Sequence, residues 1–135
     1  MPSEDKLSSG ALLTRSRRVL VVDHNRLGAD VMSVRIRLLG YEVERAYSVQ
    51  HALAIASRFN PDTIFIDLPE EEAFDLARKL IARQSKARLV ALSSWLTPQS
   101  AAKADAVGFD LILRKPITAD QLVDALSTPK AANEG

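Results

Sequence analysis

Four short apolar runs in this sequence each end in a polar residue, and this pattern constrains the fold more than any other feature. The runs VLVV, TIFI, LVAL and LILR precede Asp23, Asp67, Ser93 and Lys115, respectively. Short runs of this kind are typical of strands buried in a parallel sheet. Because open parallel sheets bind ligands beyond the carboxyl ends of their strands, the four side chains should share one edge. Two carboxylates, a hydroxyl and an ammonium group favour a phosphoryl group over an apolar ligand.

The segments between these runs carry apolar residues at helical spacing, so strands and helices are predicted to alternate. Gly40 is predicted to end the first helix, and Ser48, Thr97 and Thr118 to cap later ones. The first helix carries apolar residues at positions 27, 31, 34, 38 and 39. The predicted strands are about 18–23, 42–46, 62–67, 88–93 and 110–114. Right-handed crossovers between five βα units give an α/β fold with a doubly wound five-stranded parallel sheet, the flavodoxin-like (βα)5 arrangement.

The length, charge and composition of the chain argue against several classes of function. The 135 residues suffice for one domain with one core, and we predict it at 17–128 between mobile tails at 1–16 and 129–135. A net charge of +1 gives no basic excess for direct contact with nucleic acid. There is no cysteine, no run of about 20 apolar residues and no charged-then-apolar order at the N-terminus. We therefore expect a cytoplasmic protein without a membrane partner.

Several segments in order resemble the receiver domain of two-component response regulators. They are VLVVD, GYEVERA, HALAIA, PDTIFID and the stretch from Gly108 to Lys115-Pro116, so that the resemblance covers about 18–127. It implies that Asp67 accepts a phosphoryl group, that Lys115 contacts this group and that Ser93 hydrogen-bonds it. It also implies that Asp23 and Asp67 hold magnesium. A hard cation and an ammonium group suit the charge that develops in phosphoryl transfer.

The sequence departs from the receiver pattern at three places. His24 stands where receivers typically carry a second acid, and imidazole is a poor ligand for magnesium. The loop after Asp67 is shorter by about two residues, and the acids at 70–72 are predicted to be a solvated helix start. Ile112 occupies the place of the usual switching aromatic residue. Weak or uncertain magnesium binding is therefore predicted.

The sequence leaves three functions open. The first is a single-domain receiver that takes a phosphoryl group on Asp67 from a histidine kinase or phosphotransfer protein and signals to a downstream protein; its chemistry would be at most aspartyl-phosphate transfer. The second is a pseudo-receiver, an interaction module that takes no phosphate. The third is a cobalamin-binding domain, for which Asp23 and Gly28 are correctly spaced. There the ligand position holds Asn25 and the histidine is displaced to His24.

Overall fold

The computed structural model describes residues 17–127, and both predicted tails lie outside the described residues. Five strands alternate with five helices. The strands are β1 (Arg18–Asp23), β2 (Glu42–Ala46), β3 (Thr63–Asp67), β4 (Arg88–Ser93) and β5 (Leu111–Arg114). The helices are α1 (Arg26–Leu38), α2 (Val49–Phe59), α3 (Glu70–Ala82), α4 (Pro98–Val107) and α5 (Ala119–Ser127). The predicted α/β class is confirmed.

All strand pairs are parallel, in the order β2-β1-β3-β4-β5. The order reverses between β1 and β3, and this is the point at which open α/β sheets form a crevice. The register places Asp23 beside Asp67 on adjacent strands. It also places Ser93 beside Arg114, the residue before Lys115. The four strand ends therefore meet at one edge.

The sheet buries both faces because alternate residues of each strand point to opposite sides. Val21, Phe65 and Val90 pack under α1 and α5, and each is at most 1% exposed. Ile64 and Ile66 pack on the other side, under α2, α3 and α4. This double burial explains why the strand sequences are continuous apolar runs rather than alternating ones.

Helix ends follow their predicted signals. The side chain of Ser48 accepts from His51 N, and that of Thr97 accepts from Ser100 N in a capping box. Thr118 Oγ1 accepts from Gln121 N at 3.1 Å. Gly108 ends α4 with φ +124°, a backbone conformation that residues with a Cβ atom rarely adopt.

Helix α1 turns most of its large apolar residues away from the core. Its buried residues are Ala29, Ser33 and Ile36, which face the sheet. The side chains that the sequence pattern marks as its apolar set are exposed: Leu27 72%, Val31 52%, Val34 52%, Leu38 82% and Leu39 42%. The small residues at 29 and 33 let the helix approach the sheet closely, so the bulkier set lies on the outer face.

Candidate functional site

The centre of the site is an ion pair between two strand ends. Asp67 is the last residue of β3, and Lys115 follows β5. Lys115 Nζ lies 2.9 Å from Asp67 Oδ1 and 3.1 Å from Oδ2, and so contacts both carboxylate oxygens. The side chain of Asp67 is 20% exposed and that of Lys115 is 39% exposed. The pair is therefore partly shielded and still open to a ligand from solvent.

Asp23 joins this pair from β1. Its carboxyl group lies beside that of Asp67, its register partner in the sheet. Burial raises the pKa of Asp23, and the negative charge of Asp67 raises it further. The Asn25 amide and the Lys115 ammonium act against this rise in the pKa of Asp23. Two carboxyl groups thus share one small region with a single ammonium group close by.

A short loop fixes the Asp23 carboxylate. Asp23 Oδ1 accepts from Asn25 N at 2.9 Å, and the Asn25 side chain caps α1 by accepting from Gly28 N at 2.9 Å. A Cβ at Gly28 would lie 2.6 Å from Asp23 Oδ2, so glycine leaves the space that this oxygen occupies. Asn25, the ligand position in the cobalamin alternative, is thus a helix cap in this fold.

Ser93 lies at the end of β4 and is fully buried. Its Oγ accepts from Trp95 N at 2.9 Å, which leaves the hydroxyl hydrogen available for donation. Its carbonyl accepts from Lys115 N at 3.0 Å, so Ser93 and Lys115 are joined through the backbone. Trp95 Nε1 donates to the Leu68 carbonyl at 3.1 Å, which ties the loop after β4 to the residue that follows Asp67.

The loop between β3 and α3 is short, as expected from the sequence. Only Leu68 and Pro69 separate Asp67 from the first residue of α3. Leu68 is buried, and its carbonyl accepts from the Trp95 indole. The backbone of this loop therefore offers few free oxygens to a cation.

His24 forms a bridge at the rim of the site. Nδ1 lies 2.9 Å from the Tyr47 carbonyl, and Nε2 lies 2.5 Å from Glu72 Oε1. Because both ring nitrogens face acceptors, this geometry favours the imidazolium form. The Tyr47 carbonyl raises the pKa of His24 most, and the hydrogen bond to Glu72 raises it further. Glu72 was expected only in a solvated helix start, and no sequence signal links it to a histidine 48 positions earlier.

The donor set at this edge suits a hard divalent cation only in part. Asp23 and Asp67 supply carboxylate oxygens, and their mutual contact is one that a cation would relieve. Magnesium is usually bound through one or two carboxylates together with several waters. Within residues 17–127 no group of three acidic, histidine or cysteine side chains is arranged to hold a metal. His24 turns both nitrogens to other partners, which leaves the carboxylates of Asp23 and Asp67 as the oxygen donors at this edge.

The sequence is similar to a known protein family and to known signalling proteins. The sequence matches the family model of the response regulator receiver domain over residues 19–127. It is 30% identical over 110 residues to hybrid signal transduction histidine kinase L of Dictyostelium discoideum, covering 74% of this chain and 6% of that protein. It is 28% identical over 126 residues to the sensor protein EvgS of Escherichia coli, covering 92% and 10%, respectively. The chain thus spans a tenth or less of the length of these two relatives.

Solved structures agree with the family match. The chemotaxis protein CheY4 of Vibrio cholerae superimposes with a TM-score of 0.75 at 26% identity, covering 82% of this chain and 95% of that one. A response regulator protein from Burkholderia pseudomallei has a TM-score of 0.75 at 27% identity, covering 83% of this chain and 67% of that one. That structure contains a phosphorylated aspartic acid, a calcium ion and citrate. No helix among the described residues is long and apolar enough to cross a membrane.

Proposed function

This chain belongs to the response regulator receiver domain family, and we propose that it accepts a phosphoryl group on Asp67 from a phosphohistidine donor. The observation that carries the proposal is the contact of Lys115 Nζ with both Asp67 oxygens, at 2.9 and 3.1 Å. The nucleophile and the ammonium group that would stabilise the transferred group are thus in contact before any donor arrives. Asp67 is also the side chain that Asp23 meets across the sheet.

The proposed step is an in-line displacement at phosphorus. An Asp67 carboxylate oxygen forms the new bond to phosphorus, and the bond from phosphorus to the donor histidine nitrogen breaks. Negative charge is spread over the equatorial phosphoryl oxygens in the transition state. Lys115 is placed to stabilise this charge once it releases one Asp67 oxygen. Ser93 can donate its hydroxyl hydrogen to another of these oxygens while it still accepts from Trp95 N.

Asp23 and Asp67 would hold a magnesium ion in this proposal. When bound, the cation would neutralise charge on the phosphoryl oxygens. Binding should be weak, because His24 replaces an acid and the Leu68 carbonyl is engaged by Trp95.

The proposed donor is a histidine kinase or a phosphotransfer protein, and the proposed recipient of the signal is another protein. Two relatives, a hybrid histidine kinase and a sensor protein, support the link to histidine phosphorylation. Action as a single-domain regulator and a cytoplasmic location stay predictions. The absence of a contact with nucleic acid also stays a prediction.

A second candidate, an interaction module that takes no phosphate, is favoured by one observation. The ion pair between His24 and Glu72 joins the loop after β1 to the start of α3 beside the acidic pair. This ion pair ties the two elements together without a cation. In that case the charged groups at this edge would stabilise the fold of the domain and would take no part in phosphoryl transfer.

A phosphorylation assay separates the two candidates. The protein is incubated with acetyl phosphate and Mg²⁺, and the acyl phosphate is measured by intact-protein mass spectrometry. Label is expected on the wild type and on Asp75→Asn, a control at a half-buried aspartate of α3 that pairs with Lys79, and should be lost in Asp67→Asn. An unlabelled wild type would support the interaction module, and label persisting in Asp67→Asn would show that the acceptor is assigned wrongly.

A further inference from the structure

A cleft lies between the carboxyl-terminal ends of α2 and α3, at the opposite end of the sheet from Asp67. It is lined by residues within 53–61 and 80–86, and its volume is about 290 Å³. These two segments lead into the first residues of β3 and β4, whereas Asp67 is the last residue of β3. The proposed phosphorylation therefore does not use this space, which we call the α2–α3 cleft.

The floor of the α2–α3 cleft is apolar. Leu53 is 7% exposed, Leu80 is 1% exposed and Pro61 is buried. Ala56 is half-buried and adds only a methyl group to the lining. Pockets that bind small molecules usually measure about 300–1,000 Å³, so this cleft is at the lower limit of that range. It therefore suits one compact apolar body, such as a single aromatic ring.

The rim of the α2–α3 cleft is positively charged. Arg83 and Lys86 lie on it, both exposed, and no acidic residue lines the cleft. Among the residues that the structure describes, neither cation forms an ion pair. The carbonyl ends of α2 and α3 each contribute roughly half a negative charge, which two full positive charges outweigh. The rim therefore favours an anion.

Two amide side chains stand on the same rim in a strained backbone conformation. Asn60 has a φ of 55° and Gln84 a φ of 63°, and they are the two residues other than glycine with a positive φ in the described part of the chain. The Gln84 and Ser85 amides donate to the Ile81 and Leu80 carbonyls at 2.8 and 3.0 Å, a helix end at which glycine is the usual residue. Gln84 thus keeps a side chain where glycine would relieve strain, and strain of this kind points to a function.

We propose that the α2–α3 cleft binds a small organic carboxylate with one compact apolar body. The apolar body would lie on Leu53, Pro61 and Leu80, and the carboxylate would meet the rim. The planar guanidinium of Arg83 can donate two parallel hydrogen bonds to a carboxylate, and Lys86 adds a second charge. The Gln84 amide can donate a further hydrogen bond to it. Binding at this cleft does not depend on phosphorylation of Asp67.

Three probe molecules test the two halves of the ligand separately. Phenylacetate has both the ring and the charge, phenylacetamide has the same shape without the charge, and acetate has the charge without the ring. Each is titrated into the full-length protein at low ionic strength, and amide resonances are followed by NMR. Phenylacetate should shift resonances of 53–61 and 80–86 with a dissociation constant of roughly a few millimolar. Phenylacetamide and acetate should each bind at least about fivefold more weakly.

Variants of the protein locate the contact. Arg83→Gln with Lys86→Gln should reduce the affinity for phenylacetate to that for phenylacetamide. Arg78→Gln with Lys103→Gln is the matched control, because it removes an exposed arginine and an exposed lysine that lie outside the cleft. Gln84→Gly should raise the urea midpoint, since glycine adopts a positive φ without strain, and should weaken phenylacetate binding by about threefold. A Gln84→Gly protein that binds as tightly as the wild type would remove the amide from the site.

Three results would overturn the proposal. One is the absence of saturable shifts in 53–61 and 80–86 up to about 20 mM phenylacetate, a concentration well above the expected dissociation constant. Another is an equal loss of affinity in the two double variants. The third is binding of an N-acetylated tripeptide with a free carboxyl-terminal phenylalanine at least about tenfold more tightly than phenylacetate, which would make the end of a protein chain the occupant.

Discussion

Replacing Gly28 with alanine should displace the Asp23 carboxylate and change the stability of the fold only slightly. The new Cβ would lie 2.6 Å from Asp23 Oδ2. Since carbon and neighbouring heavy atoms pack without repulsion at about 3.5 Å, the carboxylate must move by roughly 0.9 Å. It can do so by rotating its side chain, at the expense of its bond to Asn25 N.

The expected effect on stability is small because two contributions oppose each other. Alanine is favoured over glycine in a helix by up to about 1 kcal/mol. An off-rotamer aspartate costs about 0.5–1.5 kcal/mol. The free energy of unfolding of Gly28→Ala should therefore stay within about 1 kcal/mol of the wild-type value. The effect on chemistry is larger, since a misplacement of about 1 Å in a catalytic group can reduce a rate by about 100-fold.

The assay measures both quantities on the same protein. The rate of phosphorylation by acetyl phosphate with Mg²⁺ is followed by intact-protein mass spectrometry, and stability by urea denaturation. Leu27→Ala is the matched control, because it changes an exposed neighbour in the same helical turn. A Gly28→Ala protein that is phosphorylated within about threefold of the wild-type rate would refute the argument that the Asp23 oxygen must stay in place.

Four further predictions concern the site and its support. His24→Asp should tighten Mg²⁺ binding by about tenfold in calorimetric titration, because it adds a carboxylate; an equal or tighter wild type contradicts this. The Tyr47 carbonyl raises the pKa of His24 in the folded protein above its unfolded value of 6.5. The protonated imidazole therefore stabilises the fold fully below pH 6.5, and this stabilisation is lost as the pH rises through the folded-state pKa. Melting temperatures of the wild type should consequently fall more than those of His24→Gln between about pH 6 and about pH 8. Gly108→Ala should lower the free energy of unfolding by about 1–2 kcal/mol, because alanine is strained at a φ of +124° and the exposed Ile81 side chain must rotate away from the new Cβ; an unchanged urea midpoint would contradict this. Finally, amide-exchange differences between free and beryllofluoride-bound protein should cluster at about 93–118, and differences confined to the loop after β1 would favour the interaction module.

The order of elements was readable from the sequence because it depends on local chemistry. Buried parallel strands require continuous apolar runs, and helix ends require residues such as Ser48, Thr97 and Gly108. Once five βα units are recognised, right-handed crossovers leave few ways to arrange them. The same reasoning brought Asp23, Asp67 and Lys115 to one edge, because the carboxyl ends of parallel strands always meet there.

The sequence alone did not identify the partner of His24. Glu72 lies on a different element, and its approach to the imidazole depends on how the two-residue loop after Asp67 aims α3. Nothing in the local pattern of three consecutive glutamates distinguishes the third from its neighbours. The engagement of the Leu68 carbonyl by Trp95 likewise depends on the packing of two loops against each other.

The sequence by itself determined the periodicity of α1, and only the tertiary structure decided which side of the helix is buried. Periodicity fixes the angle between side chains but not the direction in which the helix faces. The larger apolar set lies on one face of the helix, yet Ala29 and Ser33 allow the opposite face, with Ile36, to approach the sheet more closely. Packing at short distance therefore selected the face with the small residues, and it left Leu27, Val31, Val34 and Leu38 exposed to solvent.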